Sequence, residues 1–325
     1  MNTSSLKRAI TWSALGVGIF AAYSFSLLAV GMRSGIQDDR LFHLVRDIKR
    51  LFIPPQDTYR TTLPLREHFR TNEFGQLTWY HDKVETGRPE ITDKTVIAFV
   101  FGQSNAANAG GEKHTSLKGK AYNYLDGRFY VASDPLLGAT GISGSVWTNM
   151  ANKLVDEHIA DKVILISAAV TGTTVMKWQK GRPLYAMLET RLQDVKQSSL
   201  EITHFLWHQG EADNNLDPQK YTEGLTDVIA LAKRYFPHAA FFVAQASRCG
   251  MMDSSIKLLE AQRNITRLDN VFLGPNTDQV GLLDRYDDCH LSGRGLEKTS
   301  SYWVRALRAK DSLLSKGDNK RILSK

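Results

Sequence analysis

Thr95-Val-Ile-Ala-Phe-Val-Phe-Gly102-Gln-Ser-Asn105 is an apolar, β-branched run that stops at a glycine followed by three polar residues. Such a run reads as a buried strand that turns sharply where it ends. In open α/β sheets the carboxyl ends of strands are where ligands and reactive groups gather. Ser104 is thereby expected at the mouth of a crevice, among backbone amides. A serine after a strand is ordinarily only a turn residue, so the reading depends on partners elsewhere in the chain.

Two distant segments supply them. Asp287-Asp288-Cys289-His290-Leu-Ser puts a carboxylate three residues before a histidine. A serine hydroxyl is a weak nucleophile; it needs a base, and an imidazole serves near neutral pH if a carboxylate fixes its tautomer. The spacing favours Asp287 as that carboxylate and leaves Asp288 as a solvated loop residue. Phe205-Leu-Trp-His-Gln-Gly-Glu-Ala-Asp213 reads as another buried strand broken at Gly210. Gln209 is then at a strand's carboxyl end, where a carboxamide can donate to an oxyanion. Glu211 and Asp213 read as loop supports, and His208 is expected to point away from Gln209 because successive strand residues face opposite sides.

Together these blocks resemble the SGNH hydrolases, and within them the sialate O-acetylesterase and carbohydrate-acetylesterase-like branch. Gly-Gln-Ser104-Asn, Trp207-His-Gln209-Gly-Glu211-Ala-Asp213 and Asp287-x-x-His290-Leu-Ser carry the likeness, with Ala169-Val-Thr-Gly172-Thr-Thr-Val-Met-Lys-Trp178 as a glycine block. Thr171 stands where that block usually has the first of two glycines. The resemblance implies Ser104 as nucleophile, His290 as general base and acid, and Asp287 as its orienter. It implies an oxyanion hole from the amides of Ser104 and Gly172 and the Gln209 side chain, with Gln103, Asn105 and Glu211 in support. It also implies an O-acetylated carbohydrate substrate, hydrolysed through an acyl-serine. An O-acyltransferase using the same serine and a non-catalytic glycan-binding component are the alternatives. No cofactor is called for. No metal-ligand set stands out either, since the i, i+4 spacing of His204 and His208 brings two side chains together on a helix and not on the expected strand.

Strands are expected near 96–101, 163–168, 203–207, 240–246 and 271–274, and helices near 147–158, 183–195, 219–235, 254–264 and 298–314. This alternation predicts a doubly wound five-stranded parallel sheet with helices on both faces, which the resemblance makes a flavodoxin-like three-layer sandwich. The glycine-rich stretches 102–111 and 138–144 read as loops near the site. Trp147, Trp178 and Asn105 are candidate sugar contacts.

The N-terminal part reads differently. After a short tail, 1–8, residues Ala9 to Met32 carry no charge, which is long enough to cross a bilayer and longer than a signal-peptide core. An uncleaved, single-pass transmembrane helix over 9–32 is expected, in the inner or plasma membrane. Residues 33–94 read as a juxtamembrane connector. Within it Leu41, Phe42, Val45, Ile48, Leu51 and Phe52 recur at helical spacing, as in an amphipathic helix lying on the membrane surface or packed against the domain. The esterase domain is expected over 95–312 and a basic tail over 313–325. Lys7 and Arg8 before the span against Arg33, Arg40, Arg46, Lys49 and Arg50 after it do not favour export by charge counting. The carbohydrate-esterase likeness nevertheless makes a periplasmic or extracytoplasmic domain the expectation. The net charge of +7 suits anionic headgroups, and no nucleic-acid motif is found. Cys249 and Cys289 are the only two cysteines; both lie at the ends of expected strands, and a disulfide between them would pin the Asp287–His290 loop in an oxidising compartment.

Overall fold

The structure is a computed structural model that describes residues 68–250 and 252–322. The expected transmembrane helix over 9–32 and the amphipathic segment at 41–52 lie outside the described residues. Among the described residues no helix is long and apolar enough to cross a membrane. In chain order the elements are β1 (Phe69–Thr71), β2 (Leu77–Tyr80), β3 (Glu85–Thr86), β4 (Thr95–Gly102), β5 (Ala121–Leu125), β6 (Arg128–Val131), α1 (Val146–Asp156), β7 (Lys162–Ser167), α2 (Pro183–Gln197), β8 (His204–His208), α3 (Pro218–Tyr235), β9 (Ala240–Gln245), α4 (Ile256–Asn264), β10 (Val271–Asn276) and α5 (Gly293–Ile322).

The main sheet has eight strands in the order β10-β9-β8-β4-β7-β5-β6-β3. The first six run parallel, and β6 and β3 each pair antiparallel with the preceding strand. The expectation of five parallel strands is thus corrected to a mixed sheet of eight. The five expected strands are all present; the sixth parallel strand, β5, is Ala-Tyr-Asn-Tyr-Leu, which carries no strand-length apolar run. Part of the expected connector also belongs to the sheet, since β3 forms its edge, and β1 and β2 form a separate hairpin. Leu77 and Tyr80 of that hairpin are buried with Leu125 and Leu137. The last helix, α5, runs on to Ile322, into the stretch expected as a basic tail.

Alternation along β4 builds the layers. Ile97, Phe99 and Phe101 face a core shared with α2, α3 and α4. Ala98 and Val100 face the opposite core, with α1 and α5. A strand buried on both faces needs apolar residues throughout, and β4 has them. Both neighbours of β4 are parallel to it, so the carboxyl ends of β8, β4 and β7 lie side by side. That row of strand ends carries the site.

Candidate active site

The chain leaves β4 through Gly102, whose φ is 131° and whose added Cβ would lie 2.1 Å from the His208 carbonyl oxygen. Only glycine allows this close passage beside β8. The Gln103 amide then donates to that same carbonyl at 3.1 Å, and Ala106 and Ala107 close a single tight turn over Ser104–Ala106. Ser104 is buried, 3% exposed. On the other side, Val170 N donates to the Gly102 carbonyl at 2.9 Å. Gly172, two residues further on, adopts φ 69° with open space around it. Thr171, in the place of a first glycine, is tied down instead: its hydroxyl and amide meet Thr140 Oγ1 at 2.6 and 2.9 Å. The N–H groups of Ser104 and Gly172 have no hydrogen-bond partner among the described residues.

His290 comes to this turn from the far end of the chain. Its Nδ1 lies 2.6 Å from Asp287 Oδ2. Asp287 Oδ1 meanwhile accepts from the Cys289 and His290 amides at 3.0 and 2.7 Å. Burial works to raise the Asp287 carboxyl, but the hydrogen bonds from the His290 ring and the two amides outweigh it and hold the group below its ordinary value. The ring of Tyr286 stacks on His290, with centroids 5.8 Å apart. Asp287 and His290 thus form a pre-oriented carboxylate–imidazole pair.

Asn105 joins that pair to the serine. Its Nδ2 donates to the Cys289 carbonyl at 3.3 Å and to Glu211 Oε1 at 2.8 Å, while its Oδ1 accepts from Leu291 N at 3.4 Å. The residue beside Ser104 therefore grips both neighbours of His290. Arg285, also buried, donates to the Cys289 carbonyl and to the Thr277 carbonyl, the latter at 2.8 Å. Asn105 is accordingly a brace and not a free sugar contact. Trp147 and Trp178 are not sugar contacts either: both are fully buried, their indole N–H groups donating to Ala106 O at 2.7 Å and Thr173 Oγ1 at 3.0 Å.

Gln209 departs from expectation. It is fully buried, and its Nε2 donates to Gln103 Oε1 at 3.2 Å, Thr173 O at 3.0 Å and Asp213 Oδ2. A carboxamide has two N–H protons, and three protein acceptors leave neither for an oxyanion. The backbone N–H groups of Ser104 and Gly172 remain unengaged among the described residues, while Gln209 locks the Gln103 side chain, which also accepts from Ala212 N at 3.1 Å. His208 does point away, toward Thr277 and Glu211. Burial, and then the Arg285 charge, push it down to about 3, so it is neutral and unsuited to act as base. Burial pushes Glu211 up, against the hydrogen bond from Asn105. Asp288 is buried rather than solvated, at φ 66°.

The profile described as carbohydrate esterase, sialic acid-specific acetylesterase, matches residues 94–307. The chain belongs to this family of carboxylic ester hydrolases. A probable carbohydrate esterase of Arabidopsis thaliana is 30% identical over 133 residues, 39% of this chain and 48% of that protein, so the match spans about half the relative's length. The X-ray structure of that Arabidopsis protein superposes with a TM-score of 0.57 at 20% identity, covering 66% of this chain and 98% of the other. The crystal structure of NanS gives 0.50 at 14% identity, covering 67% and 97%. At these identities the two structures establish the α/β fold. All four blocks that resemble the SGNH hydrolases fall within the span matched to the carbohydrate esterase family.

The structure joins Cys249 and Cys289 in a disulfide, with Cα atoms 4.2 Å apart and a sequence separation of 40. Gly250 N also donates to the Asp288 carbonyl at 3.2 Å. The bridge ends one residue before His290. In the chain-entropy account, closing a loop of this length stabilises by about 4 kcal/mol. Reduction is expected to remove that stabilisation and to lower activity by loosening His290. Denaturant unfolding with and without reductant checks this; superimposable curves and unchanged turnover would refute it. Arg285, Tyr286 and Thr140 are site residues that sequence reasoning did not find. For Arg285 the only signal is its place two residues before the Asp-x-x-His block, and nothing in its neighbours marks it as buried. Among the described residues no group of three or more His, Cys, Asp or Glu side chains is placed to hold a metal.

Proposed function

We propose that this protein is a serine esterase that removes O-acetyl groups from a carbohydrate through an acyl-serine intermediate. The observation that supports it most is the Asp287–His290 pair, 2.6 Å apart, held against the Ser104 turn by Asn105. Ser104 Oγ attacks the acetyl carbonyl while His290 Nε2 takes its proton. Asp287 keeps Nδ1 protonated and steadies the imidazolium. The negative oxygen of the tetrahedral intermediate meets the amides of Ser104 and Gly172, which are fixed before the reaction and need no reorganisation. Collapse breaks the bond to the sugar oxygen, which leaves with the proton from His290. Water then gives a proton to His290 and attacks the acyl-serine; acetate departs and the proton returns to Ser104.

The proposal includes a single-pass anchor over residues 9–32 and an extracytoplasmic catalytic domain. The uncharged N-terminal run supports the first. The Cys249–Cys289 disulfide supports the second, because such bonds persist in oxidising compartments. The test is acetate release by the full-length chain in detergent from a panel of O-acetylated sugars and polysaccharides. Release from at least one is expected. If none is hydrolysed and an activated acetyl ester fails to acylate Ser104, the reading fails.

A further inference from the structure

A second concave site lies beside the first. The hairpin tip Asn72–Phe74, the β5–β6 turn at Asp126 and the stretch of α2 from Met187 to Asp194 border an open pocket of about 160 Å³. An apolar cavity of about 150 Å³ takes up benzene; a pyranose with its hydroxyls is larger, so it would seat here with part of the ring outside the open side. The position of the pocket follows from the sheet. Ser104 follows β4, Gly172 follows β7 and Asp126 follows β5, and these three strands are consecutive neighbours running in the same direction. With strands about 4.8 Å apart, Asp126 is displaced from Ser104 by roughly 10 Å across the rim.

The two sites are also mechanically joined. Asn72 Nδ2 donates to Gln76 Oε1 at 2.9 Å, Gln76 bridges to Thr140, and Thr140 Oγ1 meets Thr171 Oγ1 at 2.6 Å, next to Gly172. Arg191 lines the cavity with only 9% of its side chain exposed; it is bound to Asp126 Oδ1 at 2.6 Å, and its Nε has no hydrogen-bond partner among the described residues. Asp194, held by Tyr124 at 3.0 Å, supplies a further carboxyl. Glu73 adds a third, while Phe74 and Met187 contribute apolar surface. Carboxylates that accept, a guanidinium that donates and apolar surface in one pocket suit the hydroxyls and ring face of a sugar. The carboxyls do not converge as a metal site requires. Three acidic groups against one arginine make the lining unfavourable to an anion.

We propose that this cavity is a second carbohydrate subsite, taking a non-anionic pyranose unit of an oligosaccharide whose acetylated unit lies at Ser104. This rests on the esterase reading only for the identity of the neighbouring site. The consequence is a preference for oligomers over single sugars, and for neutral or amino sugars over uronates at this position.

The direct test is calorimetric titration of the full chain with cellotriose, a glucosamine trimer and trigalacturonate, beside Thr190→Trp. Thr190 is exposed on the cavity rim, and its hydroxyl bonds only back to Ala186 O, so the indole obstructs the cavity without disturbing the fold. The first or second ligand is expected to bind and to weaken at least tenfold in Thr190→Trp, with trigalacturonate bound at least tenfold more weakly. In kinetics, KM for an acetylated oligosaccharide rises about tenfold with kcat unchanged, while hydrolysis of 4-nitrophenyl acetate is unaffected. Absence of binding by all three ligands, equal binding of trigalacturonate, or binding unchanged by Thr190→Trp would each overturn the subsite. Failure of the esterase reading would show separately, as no hydrolysis of 4-nitrophenyl acetate by the unaltered chain.

Discussion

Ser104→Ala is expected to lower kcat for acetate release by roughly 10⁴-fold or more, the range seen when an activated nucleophile is removed from a preorganised site. The size of the effect follows from what the substitution leaves behind. Alanine keeps the backbone amide at position 104, the Gly172 amide and the Asp287–His290 pair, so an ester can still be bound and polarised. Without Oγ, water must attack the ester directly, and no acyl-enzyme divides the barrier. The fold should be indifferent, because no hydrogen bond of the turn uses the Ser104 side chain; the turn is closed by backbone bonds from Ala106 and Ala107. Turnover of 4-nitrophenyl acetate, measured with thermal unfolding of both proteins, checks this. A variant that retains more than one-hundredth of the activity with an unaltered melting curve would remove Ser104 from the mechanism.

The residues differ in how far they could be read from sequence. β4 was legible because a strand buried on both faces must be apolar throughout, and because Gly102 marks where the run breaks. Asp287 and His290 were legible as a local pair: three residues of separation let one carboxylate oxygen cap the loop amides while the other reaches the ring. The extra strands were hidden. β5, Ala-Tyr-Asn-Tyr-Leu, buries Asn123 against the Leu137 and Leu165 carbonyls, so tertiary partners and not apolar periodicity make it a strand. Gln209 was misjudged for a related reason. Its position at the strand end was right, but Gln103, Thr173 and Asp213 arrive from three other segments and claim its amide. Asn105 shows the same limit, since its grip on Cys289 and Leu291 spans 184 and 186 residues of sequence. The buried tryptophans make the converse point: aromatic residues near a carbohydrate site are as readily core as platform.

Asp287→Asn is expected to reduce kcat by about 10⁴-fold with little change in KM, the loss that accompanies a wrong imidazole tautomer. Asp287 Oδ1 accepts two backbone amides, from Cys289 and His290. An asparagine must keep its carbonyl oxygen there, since an NH2 group would face two N–H donors. Its Nδ2 then occupies the Oδ2 position, 2.6 Å from His290 Nδ1 in the native protein, and donates where the carboxylate accepted. The imidazole answers by carrying its proton on Nε2, where it has no lone pair to take the Ser104 proton. The native carboxyl also has a linkage consequence. Its value is lowered in the folded protein, so its stabilising contribution is complete above the unfolded carboxyl's ordinary value and is lost as pH falls through the folded one. In the asparagine variant that acid-side loss should be absent from the unfolding curve. Asp288→Asn is the control, because asparagine accepts the left-handed backbone at φ 66°, and less than a tenfold change is expected. Comparable losses in both variants, or a loss below tenfold in Asp287→Asn, would mean that Asp287 does not set the His290 tautomer.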